Sequence, residues 1–231
     1  MSYTQSSKTF AYVTTHDQKP RRRLFEMLRS QGMQQNQTVT FMSDGGNNVR
    51  NLQLYLSPNA EHLLDWFHVT MRLTVLGQMA KGLPKDIEAL KDVPERLERA
   101  KHHLWHGHVG QGCQELGDLE TDLSSTLDRS QVELACLRKI EKYVAEMIGY
   151  IGNNKSYMVN YGERYRAGER ISTGFVESTV NQVISKRFVK KQSMGWTPRG
   201  AHLLLQIRTR VLNDELEDLF RQWYPAFRKA A

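Results

Sequence analysis

Two acidic residues have neighbours that could complete a site for phosphate chemistry. Asp44 follows an apolar stretch and precedes Gly45 and Gly46, a pattern typical of a ligand-facing turn at a strand end. Glu177 lies one helical turn before Asn181, so both side chains face the same way. Two carboxylates can hold divalent cations, and two ions about 3.5 to 4 Å apart suit in-line phosphoryl transfer. Equally, Asp44 could only begin a turn or cap a helix, and Glu177 could lie on a packed, solvated surface helix.

Basic residues follow Glu177 closely and suggest an anionic partner. The chain has 32 Lys and Arg against 25 Asp and Glu, a net charge of +7. Such a balance favours an anionic partner but does not by itself establish nucleic-acid binding. The residues expected to hold a phosphate backbone are Lys186, Arg187, Lys190, Lys191 and Arg199.

Histidines provide two further candidates. Asp65 and His68 interrupt an apolar run, where such a pair is more often a hydrogen-bonded core pair than a catalytic one. His102 and His106 share one helix face at a spacing that some zinc sites use, within a cluster that includes His103 and His108. No carboxylate follows them, so a solvated helix end is the alternative to a metal site.

The elements around these residues predict an α/β fold that is rich in helices. In residues 1–82, segments with the two-residue alternation of a strand are interleaved with segments that have the three- to four-residue spacing of a helix. We expect a strand at Lys8 to Thr15, a helix from Pro20 to about Gly32, a strand at Thr38 to Met42, a helix ending near Leu56, a third strand or strand running into a helix at Glu61 to Val69, and a helix from Thr70 to about Gly82.

The remaining sequence predicts a helical insertion followed by the segment that completes the core. Residues 83–151 show only amphipathic helical patterns. In residues 152–231, we expect the helix of Glu177 and a last helix from Arg199 to Leu219. The Gly, Asn and Tyr content of Gly149 to Gly168, which spans this boundary, predicts a loop whose tyrosines and arginines could stack on bases or pack against the core.

Composition gives the expected compartment. No stretch approaches the roughly eighteen apolar residues that a membrane span requires, and the first residues lack a signal-peptide pattern. Cys113 and Cys136 have no zinc-type spacing and fit a reducing environment. We therefore expect a cytoplasmic protein that does not enter a membrane.

Three motifs, taken in order, resemble bacterial insertion-sequence transposases of the Asp-Asp-Glu type. They are SDGG at 43–46, DWFH at 65–68 and the long block that starts at Glu163 and ends at Asn213, and the likeness runs from about Lys8 to the C-terminus. The resemblance implies a ribonuclease H-like core of about three strands here, with a helical insertion. It also implies Mg²⁺-dependent or Mn²⁺-dependent cleavage and joining of double-stranded DNA at the ends of a mobile element, by dimers or larger homo-oligomers.

The same resemblance assigns roles to individual residues. Asp44 corresponds to the second acid and Glu177 to the third, both as catalytic metal ligands in a site for two ions. Asp65 and His68 match an Asp/Cys-x-x-His signature in which the histidine supports the site or its DNA.

One departure from the family pattern changes the expected activity. The first acid of such enzymes lies upstream of the strand that resembles Lys8 to Thr15, and Asp17 sits in a polar turn that does not fit this role. The sequence therefore predicts a C-terminal portion of a transposase that retains two of the three catalytic acids, and it leaves open whether this chain is active alone. The alternatives are a noncatalytic DNA-binding remnant or regulator of the full-length enzyme, and a purely structural helical protein.

Overall fold

The structure is a computed structural model that describes residues 7–129, 135–185 and 195–227. It is 66% helical. The chain divides into a central unit, Thr38–Thr173, and a terminal unit formed by Met1–Gln37 with Gly174–Ala231. None of the helices in the described ranges is long and apolar enough to span a membrane.

The central unit begins with two short parallel strands and continues as a helical bundle. Strand β1 (Thr40–Ser43) pairs with β2 (Glu61–Leu64), and Met42 lies opposite Leu63. The helices of this unit are α2 (Asn47–Leu56), α3 (Trp66–Ala80), α4 (Val93–Trp105), α5 (Val109–Arg129), α6 (Ala135–Asn154) and α7 (Tyr161–Arg166), with short 3₁₀ turns at Glu88–Leu90 and Lys155–Tyr157.

Apolar residues at intervals of three or four build the core of this unit. On α6, the residues that repeat at this spacing are all buried: Leu137, Ile140, Val144, Met147 and Ile151. Each fully buried side chain of this kind contributes roughly 1.5–3 kcal/mol. Helix α5 packs tightly on α4 at Gly112, where a Cβ atom would lie 2.7 Å from Leu104 Cδ2. The amphipathic pattern of the sequence thus closes into one helical core.

In its described residues, the terminal unit contains four helices, preceded by an N-terminal segment that is neither helix nor strand. Its helices are α1 (Pro20–Ser30), α8 (Gly174–Val180), α9 (Pro198–Leu212) and α10 (Leu216–Trp223), and a π-helical turn at Asn181–Ser185 follows α8. Arg208 of α9 donates from Nε to the carbonyl of Val183 at 2.8 Å, which ties this turn to α9.

The predicted strand at Lys8 to Thr15 is wrong. Side-chain amides satisfy the backbone of this segment instead of a neighbouring strand: Asn213 Oδ1 accepts from the Thr9 N–H at 2.7 Å, and Gln206 Nε2 donates to the Ala11 carbonyl at 3.0 Å. The described residues therefore contain two strands rather than about three. They do not display a ribonuclease H-like core.

Two further predictions are corrected, and several others are confirmed. The expected loop at Gly149 to Gly168 contains the end of α6, a 3₁₀ turn and α7, and the expected last helix is interrupted at Asp214, where φ is +57°. The helix beginning at Pro20, the helical character of the insertion and the strand running into a helix after Glu61 are confirmed.

Candidate functional site

The two parallel strands end at one edge of the sheet, and an aspartate follows each strand. Asp44 comes directly after β1, and Asp65 comes directly after β2. The Asp65 N–H donates to the Ser43 carbonyl at 2.8 Å, so the pairing continues to the strand ends. The carboxyl ends of parallel strands are where ligands gather in open α/β sheets, which makes this edge the candidate site.

Asp44 occupies a tight turn and is exposed. Its Oδ1 accepts from the Gly46 N–H at 2.9 Å, and Gly45 adopts a φ of +88° that favours glycine. The side chain of Asn154 packs so closely against Gly45 that a Cβ there would clash with it. Asp44 does begin a turn, as the simpler interpretation predicts, and the turn presents its carboxylate to solvent.

Tyr150 of α6 fixes this turn to the helical block. Its hydroxyl donates to the Asp44 carbonyl at 3.0 Å, and the Arg72 guanidinium lies 4.2 Å from the centre of its ring. Burial raises the pKa of Tyr150 to about 12, with a smaller contribution from Asp44, while Arg72 opposes the shift. The tyrosine is therefore a neutral donor at physiological pH. Sequence reasoning missed it because it placed Tyr150 in a loop.

Asp65 is fully buried and serves as the N-cap of α3. Its Oδ1 accepts from the Phe67 N–H at 2.9 Å and from the Thr173 N–H at 3.0 Å, and its Oδ2 accepts from the Thr173 hydroxyl. His68 Nε2 lies 3.6 Å from Oδ2, and its side chain is 31% exposed. The Asp65 carboxylate thus joins α3 to Thr173, while the His68 ring remains accessible.

A groove of about 200 Å³ lies between α3 and α6, next to these residues. Its lining is mainly apolar. The residues that line it include His68, Met71, Arg72, Tyr143, Glu146 and Met147. Arg72, which lines the groove, also contacts the Tyr150 ring beside the strand-end turn.

The other predicted site residues fall in the terminal unit or outside the described residues. Glu177 belongs to α8, and Asn181 begins the π-helical turn that follows. Arg199 is exposed in the first turn of α9. Outside the described residues are Lys186, Arg187, Lys190 and Lys191.

The described donors at the strand edge are too few for a magnesium site. In residues 7–129, 135–185 and 195–227, no three His, Cys, Asp or Glu side chains come together in a way that could hold a metal ion. Asp44 provides one exposed carboxylate, whereas Mg²⁺ requires a near-octahedral shell of oxygens. The described residues at the strand edge do not fit a complete magnesium site, and no reaction step is assigned to the ion.

Comparison of the chain with protein-family models, with curated proteins and with solved structures gives no match.

Proposed function

We propose that the chain is a DNA transposase of the Asp-Asp-Glu type, which cleaves and joins double-stranded DNA at the ends of an insertion sequence. The single observation that supports it best is the exposed carboxylate of Asp44 at the carboxyl edge of the paired strands. In open α/β sheets, ligands bind just outside the carboxyl ends of the strands, so a carboxylate at this position can contact a bound ligand. Glu177 is the other proposed catalytic acid and corresponds to the third acid of the family. Mg²⁺ or Mn²⁺ is the proposed cofactor.

Side chains of α3 offer donors for a phosphate group close to the strand-end turn. Arg72 is exposed, contacts Tyr150 and carries a planar guanidinium that matches phosphate geometry. His68 lies on the same helix one turn earlier, and its ring is accessible. In the proposed enzyme, Arg72 and His68 bind the DNA backbone, while the turn and Tyr150 hold the backbone of Asp44 in place.

A noncatalytic DNA-binding protein or regulator of the full-length transposase is the second candidate. It is favoured by the lack of any three metal-binding side chains in one cluster among the described residues. It retains the net charge of +7 that favours a polyanion. In this case Lys186, Arg187, Lys190 and Lys191 still contribute to DNA affinity, and Asp44 contributes nothing to it.

One experiment separates the two candidates. The full chain is incubated with supercoiled plasmid and Mg²⁺ or Mn²⁺, and nicked DNA is quantified. The matched variants are Asp44→Asn, Glu177→Gln and, as a control on an exposed face of α5, Asp118→Asn. The enzyme is supported if the protein with its native sequence and Asp118→Asn nick DNA while the two site variants do not. No nicking by any of them contradicts catalysis by this chain.

DNA binding is measured on the same proteins by fluorescence anisotropy across a range of salt concentrations. Both candidates predict that Asp44→Asn binds as well as the native sequence. The double variant Lys190→Glu with Lys191→Glu should bind more weakly, and its salt dependence should fall by about one unit of slope for each phosphate that the protein no longer neutralises. Absence of DNA binding at moderate salt would contradict both candidates and favour a structural helical protein.

A further inference from the structure

Four histidines gather where α4 ends. The rings of His102 and His106 are 4.6 Å apart between centroids, and the His106 N–H donates to the His102 carbonyl at 3.2 Å. The last turn of the helix therefore holds the two rings one above the other. Gly107, with φ of +75°, then ends the helix, and the ring of His108 lies 6.3 Å from that of His106.

The nitrogen atoms of this pair are available as ligands. His102 is exposed, so that a hydrated ion can approach it, and His106 is partly buried. The pKa of His106 is lowered by burial first and then by the nearby His102, Arg166 and His108. A lowered pKa favours the neutral ring, which is the form that binds metals.

We propose that His102 and His106 form a two-nitrogen site for a late first-row divalent transition ion, which Cu²⁺ occupies most tightly and Zn²⁺ or Ni²⁺ more weakly. The order follows the general affinity of nitrogen sites for these ions. In the described ranges no three such side chains come together in a way that could hold one metal ion, so water fills the other positions of the coordination shell. Mg²⁺ prefers oxygen ligands and does not compete for this site.

Arg166 of α7 opposes the binding of a cation. The positive charge that helps to lower the pKa of His106 also repels a divalent ion at the same ring. Removing this charge in Arg166→Gln should therefore tighten metal binding. A site elsewhere on the protein would not respond in this way.

A second pair of histidines provides the strictest control. In the terminal unit, the rings of His16 and His202 are 5.1 Å apart, and His202 Nδ1 accepts from the Val13 N–H at 3.4 Å. The backbone contact occupies one nitrogen of His202. If copper nevertheless binds to this pair, His202→Gln removes it and His102→Gln does not.

The test titrates CuCl₂ into the full chain, freed of any affinity tag, by isothermal calorimetry in the presence of a weak competing ligand. Far-ultraviolet circular dichroism verifies that each variant is folded. We expect His102→Gln and His106→Gln each to lose at least about tenfold in Cu²⁺ affinity. His103→Gln and His202→Gln should bind Cu²⁺ as the native sequence does, and Arg166→Gln should bind it more tightly.

Electron paramagnetic resonance of the copper complex reports the ligands directly. Two imidazole nitrogens are expected in the native sequence, and one in either variant of the pair. Unchanged affinity in both His102→Gln and His106→Gln, or loss of binding in His202→Gln, would overturn the proposal. Neither result bears on DNA binding or nicking, so this site and the proposed function fail independently.

Discussion

Replacing Asp65 by alanine should destabilise the central unit by about 3 kcal/mol. The substitution leaves the N–H groups of Phe67 and Thr173 without the carboxylate that accepts their hydrogen bonds. A buried donor that loses its partner costs roughly 1–3 kcal/mol, and loss of a helix N-cap alone costs roughly 0.5–2 kcal/mol. Because a native domain is stable by only about 5–15 kcal/mol, this is a large fraction of the total.

Asp65→Asn provides the graded comparison. Asparagine keeps one side-chain oxygen at the position of Oδ1, so it can still accept from the Phe67 and Thr173 N–H groups. It loses the negative charge and the second acceptor for the Thr173 hydroxyl. We expect a loss of about 1–2 kcal/mol, intermediate between the native sequence and Asp65→Ala.

Tryptophan fluorescence during urea denaturation measures this loss. Trp66 directly follows Asp65, and its ring lies 5.2 Å from that of Trp105, so both report on the central unit. The measurement uses a background in which Trp196 and Trp223 are phenylalanine. The control is Asp118→Ala on an exposed face of α5. A difference of less than about 1 kcal/mol between Asp65→Ala and this control would refute the capping role.

Three further perturbations test the strand edge and its supports. Gly45→Ala should lower the free energy of unfolding by at least about 1 kcal/mol in urea titrations, since φ is +88° and the new Cβ meets Asn154. Because the pKa of Tyr150 is raised in the folded state, the unfolded state loses the Tyr150 proton first between pH 10 and 12. The free energy of unfolding should therefore fall by up to about 1.4 kcal/mol per pH unit in this range. In urea titrations, Tyr150→Phe should reduce that slope. Arg164→Met removes the hydrogen bond to Glu61 that joins α7 to β2. It should lower the free energy of unfolding by about 1 kcal/mol, which is measured as a lower midpoint of thermal unfolding.

Local patterns in the sequence predicted the helical block and the passage from β2 into α3. Apolar residues recur every three or four positions in α6, and a nearly continuous apolar run between Glu61 and Val69 indicated the passage into α3. The end of α6 was missed because Gly149, Gly152 and Asn154 are typical of loops. Packing overrides this preference, since Ile151 and Asn154 are buried in the last turn.

The prediction of a strand at Lys8 to Thr15 was wrong because of contacts with distant residues, which the sequence of this segment does not reveal. Its alternating pattern fits a strand, but its backbone partners are the side chains of Gln206 and Asn213, roughly 200 positions later in the chain. At the candidate site, the sequence predicted an acid at the end of β1. It could not predict Tyr150 or Arg72, because only the packing of α3 and α6 brings them to the turn.

The two aspartates at the strand edge share a residue type but differ in burial. Asp65 is 0% exposed, and donors from α3 and Thr173 occupy both of its oxygens. Asp44 is exposed, and among the described residues its Oδ1 accepts from the Gly46 N–H within its own turn. Asparagine preserves that contact, so Asp44→Asn removes charge while leaving the turn intact. A loss of nicking in this variant at unchanged stability would therefore reflect chemistry, whereas a loss in Asp65→Ala would reflect unfolding.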